Sequence, residues 1–279
     1  MQGNLFALAA IALWATLASL AVLLRHVPPF LLTGIALLIG SVPAWPFWRQ
    51  WKIAPATLAL GVYGLFGFHF LLFLALRLAP PVEANLVNYL WPLLMVVLAP
   101  VFLPGMRLHL AHMVAAILGF GGAALAILGG GTSVSQGGWN WGYLMAFGSA
   151  FIWASYSLMT KRIAATGKSF PTAAIGFFGL VSGVLALACH WLVESPVRLS
   201  AQDWGLMALA GLGPLGAAFF LWDRALKLGD ARHIGILSYV TPLASTTLLI
   251  LVTGRTFTWD IAVAATMIIS AAVLGTRSR

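Results

Sequence analysis

The chain has 279 residues, 61% of them hydrophobic and only 8% charged, against the roughly 25% charged residues of an ordinary soluble domain. A water-soluble globular fold is excluded, and at about 20 to 25 residues per crossing the length accommodates ten membrane helices with little left over. The formal net charge of +9 comes from 15 Lys+Arg against 6 Asp+Glu, and its placement along the chain points to membrane topology and not to nucleic acid.

Hydropathy breaks at short polar or Pro/Gly-bearing stretches predict helices near 3–24, 29–48, 56–77, 82–103, 108–129, 139–161, 171–192, 203–223, 231–253 and 258–275. The first apolar stretch has no basic residue before it and no small-residue cleavage site after it, so it reads as a retained helix and not as a signal peptide. A run of glycines and small polar residues, 129–138, cannot hold a packed helix. It divides the chain into units expected at 1–130 and 139–279, with 131–138 as linker. The single cysteine, Cys189, sits in an apolar run and reads as a small buried hydrophobe.

Lys and Arg gather on the cytoplasmic side of short membrane loops. In a ten-helix chain the side of the first residue holds Arg49, Lys52, Arg107, Lys161, Arg162, Lys168, Arg224, Lys227, Arg232, Arg277 and Arg279. The opposite side holds Arg25, Arg77, Arg198 and Arg255. This 11 to 4 division of the 15 cations predicts both termini in the cytoplasm, and one helix more or fewer would scramble it.

Shifting the chain by 139 places Trp14-Ala15-Thr16 on Trp153-Ala154-Ser155. Shifting by 150 lays residues 61–101 on 211–251 with 11 identities in 41 positions. The informative ones are Ala75-Leu76-Arg77-Leu78 followed by Tyr89-x-x-Pro92, against Ala225-Leu226-Lys227-Leu228 followed by Tyr239-x-x-Pro242. Each half then carries five helices, and an odd number makes the second copy enter the membrane inverted. The expected fold is therefore all-α and integral to the membrane, ten transmembrane helices in two inverted-topology repeats. Halves so related can exchange conformations around a shared central site, which a carrier needs.

Five-helix halves opening with Trp-Ala-Thr or Trp-Ala-Ser, with a fourth helix ending in Tyr-x-x-Pro, resemble the drug/metabolite transporter superfamily, in its EamA-type ten-helix branch. The segment Asn85-Leu86-Val87-Asn88-Tyr89-Leu90-Trp91-Pro92 further resembles the YddG-type aromatic amino-acid exporters. The resemblance implies export of aromatic and other neutral amino acids, with related metabolites or flat organic cations as further cargo, from a bacterial-type inner membrane.

Asn85, Asn88, Tyr89 and Pro92 fall at i, i+3, i+4 and i+7, so three polar groups share one helical face. Lipid would not satisfy them, and the stripe must either bond neighbouring helices or line a wet cavity. Asn suits a zwitterion because it donates and accepts without an unpaired charge. Pro92 and Pro242 each free a carbonyl within a helix and are candidate hinges, against the plain reading that proline is common in membrane helices. Tyr63, Phe66, His69, Phe70 and Phe73 recur at helical spacing, a stripe that either packs helices or faces an aromatic substrate. Trp14, and in the second half Trp153 with Tyr156, lie too deep for the interfacial belt expected of Trp45, Trp48, Trp51, Trp139, Trp141, Trp191, Trp204 and Trp259. Ser238 and Tyr239 are the second-half counterparts of Asn88 and Tyr89.

His69 is the ionisable group placed nearest mid-depth, open to a structural, substrate-bonding or proton-coupling reading. The six acidic residues are expected at helix ends or in loops, with Asp223 and Lys227 as an i, i+4 ion pair. No phosphate-binding loop, metal-ligand cluster or catalytic constellation is apparent, so neither cofactor nor metal is expected and an enzyme is disfavoured. The expected function is a carrier for a neutral or aromatic amino acid in the lipid bilayer; a passive channel or lipid-moving membrane protein is the alternative.

Overall fold

The computed structural model describes residues 2–128, 140–253 and 259–277, and among these every regular element is helical. The expected linker 131–138 lies outside the described residues. The helical rods are α1 (Gln2–Leu23), α2 (Pro29–Trp51), α3 (Pro55–Leu78), α4 (Pro81–Phe102) and α5 (Leu110–Leu128). They continue as α6 (Trp141–Ala165), α7 (Ala174–Val193), α8 (Ala201–Leu228), α9 (231–253) and α10 (Trp259–Arg277).

Among the described residues seven rods, α1 to α5 with α7 and α8, are long and apolar enough to cross a bilayer, against the ten expected. The remaining three fall short for physical reasons. α6 is 25 residues long, but Ser149, Ser155, Ser157 and Thr160, buried along its inner face, lower its mean hydropathy, while Leu144, Phe147 and Phe151 stay exposed on the other face. α9 is interrupted at Ser238 and Tyr239. In α10 the apolar stretch is confined to Trp259–Gly275.

Local signals explain where the rods start. Pro29, Pro55 and Pro81 occupy first helical positions, where a missing N–H costs nothing. Asn140 caps α6 by accepting from the Gly142 amide at 2.8 Å, and Ser200 with Asp203 forms a capping box on α8. Glu194, at the end of α7, accepts from the amides of Phe30 and Leu31 at 3.0 and 3.2 Å and so caps α2 from another part of the chain.

Small residues set the packing distance. Gly176, Gly179 and Gly183 lie against Ala44, the Leu37 carbonyl and the Gly34 carbonyl, so this stripe joins α7 to α2 within the chain. Gly211 and Gly216 bring α8 against Ala36 and Gly40 of α2.

Four contacts define one end of the bundle, called proximal because it carries the first residues. Gly3 packs on the Gly229 backbone, Lys227 Nζ donates to the Phe170 carbonyl at 2.7 Å, Arg232 to the Arg107 carbonyl at 2.7 Å, and Trp51 Nε1 to the Ala173 carbonyl at 2.9 Å. At the distal end His26 meets Asp203 at 3.1 Å, Arg77 meets Glu194 at 2.8 Å, and Tyr143 donates to Glu83.

Irregularities recur at the 150-residue shift. α3 has a π-helical turn at Tyr63–Gly67 and α8 has one at Gly213–Ala217. α4 breaks at 89–90 and α9, one residue out of that register, at 238–239. The two prolines are therefore not mid-helix kinks as expected: Pro92 stands in the first turn of the restarted α4 segment, and Pro242 shortly after the restart of α9 at Val240. The chain is already broken before each, at the Tyr that precedes it by three.

Candidate functional site

A cavity of about 390 Å³ lies between α1, α2, α3, α4, α6, α8 and α9. Its floor is aromatic: Trp14, Trp91, Trp153, Phe68 and Phe219. Trp14 and Trp153 meet edge to face with centroids 5.8 Å apart, and Trp153 touches Phe219 at 5.7 Å and Phe68 at 5.4 Å. Trp222 backs this floor, 5.1 Å from Trp14 and nearly parallel to Trp153 at 6.1 Å, with its Nε1 on Ser157 Oγ at 3.1 Å. From the floor the walls run through Leu17, Leu20, Leu24 and Leu32 toward the distal end. The polar groups on them are Thr33, His69, Asn85, Asn88, Tyr89, Thr241 and Ser245; no Asp, Glu, Lys or Arg lines the cavity among the described residues.

The helix irregularities position these groups. A π turn releases carbonyls from the regular ladder. In α3 the Leu65 carbonyl accepts from His69 Nδ1 at 2.6 Å; since a carbonyl only accepts, the proton of the neutral ring sits on Nδ1 and Nε2 is left as an acceptor. In α8 the Pro214 carbonyl accepts from Trp14 Nε1 at 3.1 Å, fixing the floor. The break in α4 puts Asn85, Asn88 and Tyr89 on the wall just before the helix restarts at Trp91. Asn88 is 6% exposed, and its Oδ1 accepts from Ser149 Oγ at 2.8 Å. Asn85 makes no side-chain hydrogen bond among the described residues. Thr241 Oγ1 is buried without a partner among them.

Of the residues singled out in the sequence, Trp14, His69, Phe73, Asn85, Asn88, Tyr89 and Trp153 line the cavity, whereas Tyr63, Phe66, Phe70, Tyr156, Ser238 and Tyr239 do not. Tyr63 Oη pairs with Ser155 Oγ at 2.8 Å and ties α3 to α6. Phe66 stacks at a tilt on Phe70, 5.6 Å away. Tyr156 packs its ring on Gly64, and Tyr239 packs on Gly119 of α5. Ser238 Oγ bonds its own helix at the Ile234 carbonyl, 2.8 Å. The polar and aromatic lining residues that sequence reasoning missed are Thr33, Phe68, Phe219, Thr241 and Ser245, together with the role of Trp91; none of them stands at a spacing that sets it apart from its neighbours.

The acidic residues hold one surprise. Asp223 was expected at the interface, yet its side chain is wholly buried near the proximal end, where Oδ2 accepts from Lys227 Nζ at 2.7 Å and from Thr172 Oγ1 at 2.6 Å. The expected i, i+4 partner is there, but out of water. Oδ1 has no partner among the described residues. Trp51, expected in the interfacial belt, stacks on Phe177 at 5.3 Å.

A match to the EamA-like transporter family covers residues 1–128 and 140–277. This chain belongs to that family. Its family relatives include an aromatic amino acid exporter YddG of Ancylobacter novellus, 37% identical over 99% of this chain and 97% of its own length. The exporter of the same name in Escherichia coli K12 is 26% identical over 60% of this chain and 57% of its own. A solved crystal structure, 35% identical, superposes with a TM-score of 0.89 over 98% of this chain and 97% of the other. The EamA-like assignment makes the chain a multi-pass membrane transporter, and the cavity is its candidate site.

Proposed function

We propose that this EamA-like transporter exports aromatic and other neutral amino acids across a bacterial inner membrane by alternating access. The observation that carries the reading is a cavity with an aromatic floor, several uncharged polar groups and, among the described residues, no fixed charge. Its volume lies in the range of small-ligand sites, roughly 300 to 1,000 Å³. An aromatic side chain gains edge and face contacts with Trp14, Trp153 and Phe219. The ammonium and carboxylate meet the Asn85 and Asn88 amides and His69 Nε2, and the amino end of the restarted α4 segment favours the carboxylate. A substrate with a further charged side chain would bury it without a counter-ion, a cost of several kcal/mol. The Ancylobacter relative is named as an aromatic amino acid exporter, which agrees with this cargo.

For the architecture, the repeated π turns and helix breaks support two inverted five-helix repeats, 1–130 and 139–279, joined by 131–138, with both termini cytoplasmic. In that frame Pro92 and Pro242 mark matching hinge points, and the cavity opens outward while the proximal end is shut. With no carboxylate on its wall, movement follows the substrate gradient. Counterflow of labelled phenylalanine in proteoliposomes tests the proposal: a carrier shows acceleration by unlabelled phenylalanine on the other side. Equal fluxes with and without it would make the protein a channel, and no flux of any neutral amino acid would remove the cargo assignment.

A further inference from the structure

A second cavity, of about 510 Å³, opens at the proximal end between the α4–α5 turn, the end of α6 and the start of α9. Its lining includes Arg107, His109, Lys161 and Arg232. Among the described residues the one carboxylate beside it is Asp230, which takes Arg232 Nη2 at 2.8 Å and Nε at 3.2 Å. Arg232 Nη1 is spent on the Arg107 carbonyl, so two of its five N–H groups stay free. Arg107 and Lys161 form no ion pair among the described residues. Three cations against one carboxylate leave an excess of two positive charges in a concave site.

We propose that this cavity binds a phosphate group. Two guanidinium residues and an ammonium residue in one lining suit phosphate oxygens, and no carboxylate stands in that lining among the described residues. The group has two chemical sources, an anionic phospholipid headgroup or free phosphate. Leu110, Val114 and Ile117, exposed at i, i+4 and i+7 on α5, start at the rim of the cavity and give acyl chains a path away from it. Because Arg107 belongs to the first half and Lys161 and Arg232 to the second, a bound phosphate joins the halves where the bundle is shut, and stabilises that arrangement by mass action.

The test titrates delipidated protein in a neutral detergent with dioctanoyl phosphatidylglycerol, dioctanoyl phosphatidylcholine or inorganic phosphate, reading the melting temperature and bound lipid by native mass spectrometry. Phosphatidylglycerol should raise the melting temperature and phosphatidylcholine should not. Lys161→Gln and Arg107→Gln should each weaken binding about fivefold, as expected for one basic contact to an anionic headgroup, while Lys52→Gln should match the parent. A shift produced equally by millimolar phosphate assigns the site to the free anion; a shift by lipid alone assigns it to the headgroup. Binding unchanged in both pocket variants, or equal response to phosphatidylcholine, overturns the proposal. Should one variant fold poorly, the other and the two-lipid comparison on the parent still decide. The readout is binding, so it stands or falls independently of amino-acid transport.

Discussion

Asn85 offers a donor and an acceptor to the cavity without a side-chain partner among the described residues, whereas Asn88 is already bonded to Ser149. Asn85→Ala should therefore weaken phenylalanine counterflow about tenfold in half-saturation, the worth of one hydrogen bond to a charged group, with the melting temperature almost unchanged. Asn88→Ala should lower both, since it also removes an α4–α6 bond. Trp48→Ala, at an exposed position, should alter neither; transport assays paired with thermal melts separate the three. A different residue-scale effect belongs to Asp230. Burial alone would push its carboxyl up, but the bonds from Arg232 hold it below the usual aspartate range. A folded pKa below the unfolded one gives stability that is complete above the ordinary value near 3.9 and is lost as pH falls through the folded value. Melting followed from pH 6 downward should show this loss, and Asp230→Asn should remove that part of the slope. Why some wall residues were legible and others not follows from the same chemistry. Asn85, Asn88, Trp14 and His69 are residues that lipid would not satisfy, so the sequence exposes them. Thr33 and Ser245 can satisfy their hydroxyls within their own helix and leave no such mark. Tyr89 and Tyr239 are equivalent in sequence, but one faces the cavity and the other packs on Gly119, a difference that only the neighbouring helix decides.

Within elements, the glycines around the π turn of α8 carry the tightest constraint. A Cβ at Gly216 would stand 2.0 Å from the Gly211 carbonyl and 2.9 Å from Gly40 Cα, both backbone atoms that cannot rotate away. Gly216→Ala should cost about 3 kcal/mol, the upper end of ordinary overpacking, or prevent folding outright. Gly205, earlier in the same helix, has nothing within 4 Å of its would-be Cβ. Gly205→Ala should be neutral or stabilise by about 0.5 to 1 kcal/mol by relieving the glycine helix penalty. Thermal melts of the two variants compare the same chemical change at a packed and an open position; similar losses in both would refute the close α2–α8 approach. Hydropathy located the rods to within a few residues in most cases, because lipid-length apolar runs are separated by Pro, Gly and charge. It gave no hint of the π turns, since π and α turns have the same apolar content. Nor did it show that Asp223 is buried: a charge one turn from a helix end reads as interfacial unless Lys227 and Thr172 are known to enclose it.

For the whole molecule, the question is what keeps the proximal end shut while the cavity faces the distal end. Lys227 donates to Asp223 and to the Phe170 carbonyl, and Thr172 completes the contact, so α8 is bound to the segment leading into α7. Removing one partner of a buried ion pair leaves an uncompensated charge and costs about 3 to 5 kcal/mol. That cost falls on the arrangement in which Asp223 is enclosed and is relieved where water reaches it, so Lys227→Met should shift the population toward a proximally open form. Under the alternating access proposed above, a cavity that opens on one side at a time must then close distally. Ser245→Cys in a Cys189→Ala background reports on this, because Ser245 lines the distally directed cavity. An impermeant maleimide applied from the distal side should label it several-fold more slowly when Lys227→Met is added. The double change Asp223→Asn with Lys227→Met removes the unpaired charge and should restore much of the rate. Equal labelling in all three backgrounds, with only the melting temperature altered, would make the pair a structural brace and leave the closure of the proximal end to the packing of Gly3 on Gly229 and the aromatic floor.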